Sequence, residues 1–531
     1  MSLRGTQGPD LLQNGPGYFY SNLVEGFGGD DTLIAYTRQD TLEGGQGNDL
    51  LENGVASYEQ ASGGVHAVFT DTAPQDIGAD QGVDTFSGIV GLIGSAYGDT
   101  LSAGANDAFG RNVQISSGYG DDSLIGGASF DTLSGGGGDD TIDASASIGA
   151  MASGGEGNDL ILLKAHSSGS AYGFGGAGDD QIYNAVQGAG DDGADTITGA
   201  RNWAGGGGSE LWGGGGDDSL VGTEISDRID GGSGHNTING AGGGDLIYVL
   251  SHAGPSGQDP DASEAALYRR DVVIESGAGN TLSFYNGPDG AYYGGPDGVR
   301  ATVDLRTGAA HVDRLTASGP QALADVTFNA SVDAVTGSSG ADTLQGGALD
   351  CVLFGDDGAD SIVGGDAYSR VNGNKGDDII LGHSQVGDWL LGGQGNDSID
   401  ATTSSGHNII NGNLGADTLK GGSGGDTLRG GQGDDLIVGG ARGDWISGDM
   451  GHDILTGGGG ADVFHIAANN TTTIITDFNY ADGDRIQLDA GSTYAVSASG
   501  ADTVIILDRG AQITLSHVSA TALPAGAFLI G

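Results

Sequence analysis

The chain has 531 residues, with 71 Asp and Glu against 18 Lys and Arg, and its formal charge of −53 argues against nucleic acid and anionic membrane as partners. So much acid together with 109 glycines reads as disorder unless a period organises it, and a single cysteine excludes an internal disulfide.

In chain order, Met1 to Gln13 has no apolar h-region, so neither a Sec signal nor a membrane span is expected there. It reads as a degenerate copy, ending Asp10-Leu11-Leu12, of a nine-residue unit that fills the rest of residues 1–54. That unit is Gly-Gly-x-Gly-x-Asp-x-(Leu/Ile/Phe)-x, and copies from Gly26, Ala35 and Gly44 place Asp31, Asp40 and Asp49 in the sixth position. Residues 55–97 break the period and read as an inserted β-module. The period resumes over 98–249 with Asp99, Asp122, Asp131, Asp140, Asp159, Asp180, Asp195, Asp218, Asp227 and Asp245, and with Asn236 in one weak position. Residues 250–336 read as a second module with the same internal order, including a short helix over Asp261 to Tyr268.

The third array spans 337–465. It supplies Asp342, Asp360, Asp378, Asp388 and Asp397, with Cys351 standing where one Asp is expected. Then six unbroken copies from Gly412 give Asp417, Asp426, Asp435, Asp444, Asp453 and Asp462, with Leu419, Leu428, Ile437, Ile446, Leu455 and Phe464 in the eighth position. Residues 466–531 alternate, as in Thr503-Val504-Ile505-Ile506-Leu507, and read as an antiparallel β cap.

Each copy divides into a glycine-rich turn and a strand of about three residues whose eighth position points inward. One such strand buries nothing alone, so two copies make a coil and coils stack about 4.8 Å apart. Stacking puts Asp417, Asp435 and Asp453 on one edge and Asp426, Asp444 and Asp462 on the other. Carboxylates about 5 Å apart repel by roughly 3 kcal/mol per pair at an effective dielectric of 20. The ladder therefore needs cations, and calcium fits: it takes six to eight oxygens, carboxylates and carbonyls alike, in flexible geometry. The fold expected is an all-β parallel β-roll holding calcium on the order of twenty ions, unfolded without them.

These repeats are similar to those of the RTX family of hemolysin-type calcium-binding proteins, and Asp482-x-Asp484-x-Ile486-x-Leu488 resembles the family's C-terminal module before a type I secretion signal. The resemblance implies export of an unfolded chain from a Gram-negative cell and folding in external calcium. It also implies that first- and third-position carbonyls, here those of Gly412, Leu414, Gly421, Ser423, Gly430 and Gln432, complete the ion shell.

No catalytic constellation is legible. His-Glu-x-x-His is absent, and Gly421-Gly422-Ser423-Gly424-Gly425 lies in a repeat turn where no nucleophile elbow can form. Arg442-Gly443-Asp444 spells an adhesion tripeptide, but Asp444 is a sixth-position ligand. Trp389, Trp445, Leu436, Val438, Ile379 and Leu381 fall on outward positions, to be covered by the modules or offered to another subunit. The reading is a secreted, non-enzymatic structural protein of the cell surface that self-assembles into an S-layer or sheath-like array. The alternative is a soluble adhesin recognising surface polysaccharide or a host receptor through the inserted modules.

Overall fold

The computed structural model describes residues 2–15, 22–69, 73–104, 112–164, 171–201, 207–243, 245–248, 269–274, 280–283, 299–305, 307–316, 319–328, 332–338, 340–467, 472–508 and 510–530. The helix expected over Asp261 to Tyr268 lies outside them. The chain divides into two units, residues 1–247 with 251–277 and residues 248–250 with 278–531.

Both units are parallel β-rolls, as the nine-residue period requires. In the second unit, Ser361–Val363, Ile379–Leu381, Ser398–Asp400, Thr418–Lys420, Leu436–Gly440, His452–Gly458 and Thr472–Ile475 pair in register as one sheet. Cys351–Asp357, Ser369–Lys375, Trp389–Gln394, Ile409–Leu414, Thr427–Gln432, Trp445–Met450 and Val463–Ile466 form the facing one. Every eighth position lies on the inner face: Leu419, Ile437 and Leu455 stack on one side, Leu428, Ile446 and Phe464 on the other, all fully buried. One apolar residue per copy thus becomes a continuous core only because each coil covers the next.

The first unit repeats this plan, with Gln114–Tyr119, Phe130–Gly137, Gly149–Glu156, Tyr172–Ala177 and Gln187–Asp192 in one sheet. The stretch 55–97 keeps the roll's own strands: Val55–Ser57 pairs in parallel with both Thr41–Gln46 and Gly91–Ile93. What it adds is an antiparallel hairpin, Gln75–Gly78 with Gly82–Ser87, whose second strand is itself paired to Leu50–Glu52. In the second unit, Val299–Asp304, Ala309–Thr316 and Gly319–Phe328 form a three-stranded antiparallel meander joined to the roll at Thr343–Gln345.

The C-terminal segment is mixed. Tyr494–Ser499, Asp502–Leu507 and Gln512–Leu515 are antiparallel, whereas Gln512–Leu515 and Phe528–Ile530 add to the roll in parallel. The expected cap is therefore partly a continuation of the roll itself. Among the described residues, no helix is long and apolar enough to cross a membrane.

Candidate metal sites along the roll edges

The sixth-position carboxylates form rows in which a backbone N–H of one coil donates to Oδ1 of the next. In the second unit, Asp342, Asp360, Asp378, Asp397, Asp417 and Asp435 donate in this way at 2.8 to 3.2 Å, the row ending on Asp453. The opposite edge runs Ser369, Asp388, Asn408, Asp426, Asp444, Asp462 and then Asp484. The two-edge arrangement expected for Asp417, Asp435 and Asp453 against Asp426, Asp444 and Asp462 is thus what the strands enforce. In the first unit, one row links Asp99, Asp122, Asp140, Asp159, Asp180, Asp195 and Asp218 to Asn236. Another links Asp10, Asp31, Asp49 and Asp84. Across from these, Asp227 donates to Asp245, while Asp40 and Asp131 accept from Asn22 and Val113.

The second carboxylate oxygen sorts the predicted ligands into two kinds. In Asp31, Asp49, Asp122, Asp140, Asp159, Asp180, Asp195, Asp360, Asp378, Asp397, Asp417, Asp435, Asp444, Asp453 and Asp462, Oδ2 is buried without a hydrogen-bond partner among the described residues. In Asp40, Asp99, Asp131, Asp227, Asp342, Asp388 and Asp426 the same oxygen accepts a backbone N–H of its own turn, from Thr37, Ser95, Gly127, Thr223, Ser338, Ser384 and Gly422. These seven carboxylates act as caps of their own turns.

Backbone shape accompanies the difference. The turn before Asp435 carries positive φ at positions two and four, Gly431 at 112° and Gly433 at 130°, whereas the turn from Gly421 to Asp426 has no positive φ. Asn413, at φ 79°, holds the second position before Asp417, a conformation Asn tolerates better than most residues.

Burying an anionic oxygen without a partner is costly, and the titration behaviour reflects it. Burial first, then the neighbouring carboxylates Asp417 and Asp453, raises Asp435 to about 7 despite the Asp417 N–H. Burial likewise takes Asp360 and Asp180 to about 8 and Asp397 to about 7. Asp40 goes the other way: burial raises it, but hydrogen bonds from Thr37 and Asn22 help to outweigh that and leave it below the usual value.

Carbonyl groups converge on the open oxygens. A β-carbon built on Gly412 would lie 2.0 Å from Asp417 Oδ2 and 2.7 Å from the Gly430 carbonyl of the next coil, and one on Gly430 would meet Asp435 Oδ2 and the Gly448 carbonyl at 2.0 and 2.8 Å. The first-position glycine therefore leaves open a cradle of carboxylate and carbonyl oxygen. The third-position carbonyls of Leu414 and Gln432 each accept one N–H, from Gly395 and Gly415 at 2.8 Å, and keep a lone pair. Gly421 faces the Gly439 carbonyl and Asp426 Oδ2, but Gly422 already donates to that oxygen, and the N–H of Ser423 is held by Ser404.

No group of three or more His, Cys, Asp or Glu side chains fit for a metal occurs among the described residues, so any ion here must draw on backbone carbonyls. That donor set, all oxygen and part carbonyl, suits a hard cation of adaptable coordination such as calcium.

Several row members escape the repeat pattern. Asp84 ends one row and accepts the Tyr58 hydroxyl at 2.9 Å, and Asp484 ends another; each precedes an apolar residue by two, as in Asp84-Thr85-Phe86. Ser369 and Asn408 stand in for Asp, and Cys351 is buried with Sγ 3.6 Å from Ser369 Oγ. Ser447, His465 and Asp489 line up at 3.3 and 3.4 Å, but Ser447 is fully buried and its hydroxyl also donates to Asp449, so no substrate reaches it.

The model of the RTX calcium-binding nonapeptide repeat (4 copies) matches residues 25–55, 116–147, 204–248, 329–348, 354–385, 387–403, 402–437 and 429–464. No curated protein sequence matches the chain. Among solved structures, the extracellular lipase LipA from Serratia marcescens aligns at 13% identity and a TM-score of 0.16 over 64% of this chain, which spans 45% of that protein. With matched segments from 25 to 464 that hold the second unit's row from Asp342 to Asp453, the chain is an RTX protein, built on repeats that bind Ca2+.

Proposed function

We propose that this is a secreted structural protein that folds on Ca2+ outside a Gram-negative cell and self-assembles into a surface layer or sheath-like array. The observation that carries the reading is the row of buried, partnerless Oδ2 atoms from Asp360 to Asp453. A carboxylate so placed is unstable as a bare anion and well placed as half of an ion's shell, with the first-position carbonyl of the next coil as a further donor. Calcium would supply the missing charge and bridge successive coils; the chain's own contribution is to hold the oxygens in register through the Oδ1 hydrogen bonds.

Ion binding and folding are then one equilibrium, which suits a chain exported unfolded by a type I route into millimolar calcium. The reading assigns no catalysis. Repeats run through each unit, and calcium would also bridge acidic edges of neighbouring subunits. Treating intact cells with a chelator is expected to shed the protein into the medium in unfolded form. Retention of folded protein on chelated cells would refute the reading.

A further inference from the structure

The cations of this chain are few, and several are neutralised by carboxylates: Lys375 pairs with Asp357 at 2.7 Å, Lys420 with Asp400 at 3.0 Å and Arg4 with Glu25 at 2.7 Å. One face of the second unit departs from this. Its two outer rows, running across the strands from Val352 to Arg485 and from Phe354 to Gln487, contain no Asp or Glu. They do contain Arg370, Arg429 and Arg485, none of which has a carboxylate partner among the described residues. Arg370 lies 4.9 Å over the ring of Trp389, and Arg429 lies 5.1 Å over that of Trp445. Trp389 is 38% exposed and Ile409 beside it 45%, so the guanidinium groups stand on a wet apolar stripe.

The register gives these arginines a spacing. Arg370 and Arg429 are three coils apart, and Arg485 follows after three more. At about 4.8 Å per coil the interval is about 14 Å. The exposed carboxylates of the fifth position repeat at the same interval, because the column reads Asp377, Asn396, Ala416, Asp434. The second unit therefore carries three arginines spread over two adjacent rows, and two aspartates in the fifth-position column, at the same three-coil interval.

Resting on the self-assembly reading above, we infer that these arginine-bearing rows of the second unit form the subunit interface and take the Asp377 and Asp434 column of a second copy. Exposed Trp and Arg are the residue types that dominate association energy, and opposite charges in register fix the alignment of the two rolls. Because the two surfaces differ, the contact is heterologous and does not close on itself as a twofold dimer would, which is the condition for an extended array.

The test uses the full chain in millimolar calcium. Arg370→Glu/Arg429→Glu should keep its circular dichroism and bound calcium yet need on the order of a hundredfold more protein to assemble, read by sedimentation and electron microscopy. Asp377→Arg/Asp434→Arg should fail alike, and mixing the two variants should restore joint assembly. If the arginine variant assembles as readily as the parent chain, this interface is wrong while self-assembly stands. If the parent chain stays monomeric at every concentration, the self-assembly reading falls and the interface with it.

Discussion

Asp434 and Asp435 are chain neighbours that cap the roll in opposite directions. Asp435 Oδ1 accepts the N–H of Asp417 from the coil before, and Asp434 Oδ1 accepts the N–H of His452 from the coil after, both at 2.8 Å. The outer device recurs wherever the fifth position is Asp or Asn: Asp121 caps Asp139, Asp139 caps Asn158 and Asn158 caps Asp179. Asn or His often replaces Asp in alternate coils, as in Asp30 with Asn48 and Asp217 with His235, which relieves like-charge stacking. The two aspartates are unequal, however. Asp434 is exposed and Asp435 is 2% exposed with an open oxygen.

Replacing Asp435 by Asn separates capping from charge. Asn236 and Asn408 already occupy sixth positions and accept the N–H of Asp218 and Asp388 at 2.9 and 3.0 Å, so an amide can keep the cap. Asp435→Asn should therefore reach the folded state in excess calcium but with fewer ions bound. Its calcium midpoint should rise by about tenfold or more, the scale of one charge-assisted contact of about 1.5–3 kcal/mol. Asp426→Asn should leave ion count and midpoint nearly unchanged, since Asp426 Oδ2 is held by Gly422. Equilibrium calcium binding on the two variants decides this; equal loss in both would mean that the capped turns also take ions.

Gly430→Ala tests the cradle. The added methyl would sit 2.0 Å from Asp435 Oδ2 and 2.8 Å from the Gly448 carbonyl, inside the space where the donors converge. Overpacking of this kind costs about 1–3 kcal/mol. In Gly459→Ala the nearest atom is the Ala441 carbonyl at 3.6 Å, so melting in calcium should match the parent chain while Gly430→Ala melts earlier. Equal melting of the two variants would refute the cradle.

The sequence period made the roll, its two edges and its core legible, because position eight must point inward and every second copy must share an edge. Leu419, Ile437 and Leu455 stack in one column for that reason. It did not separate Asp426 from Asp435, whose nine-residue copies look alike. The difference lies in the φ angles of the turn, positive at Gly431 and Gly433 and at no residue from Gly421 to Asp426. The fifth-position row went unread because a repeat motif marks that position as free. Nor was the parallel pairing of Val55–Ser57 visible, since a broken period hides a strand that keeps its register through its partners.

The raised carboxyl groups give the pH dependence a definite sign. Asp435, Asp397 and Asp140 reach about 7, and Asp360 about 8, from an ordinary value of 3.8, chiefly through burial. A carboxyl raised in the folded state binds more protons folded than unfolded between those values. Its contribution to the metal-free fold is therefore present below the ordinary value and lost as pH rises through 7 to 8. In chelator, β structure should be greater at pH 5, above the pI of about 4.1, than at pH 8. With calcium the order reverses, because an ion must displace those protons: the calcium concentration for half-folding should be higher at pH 5 than at pH 8. Circular dichroism titrated with calcium at both pH values measures this directly. A midpoint that does not move between them would mean that the buried carboxylates are not where calcium binds.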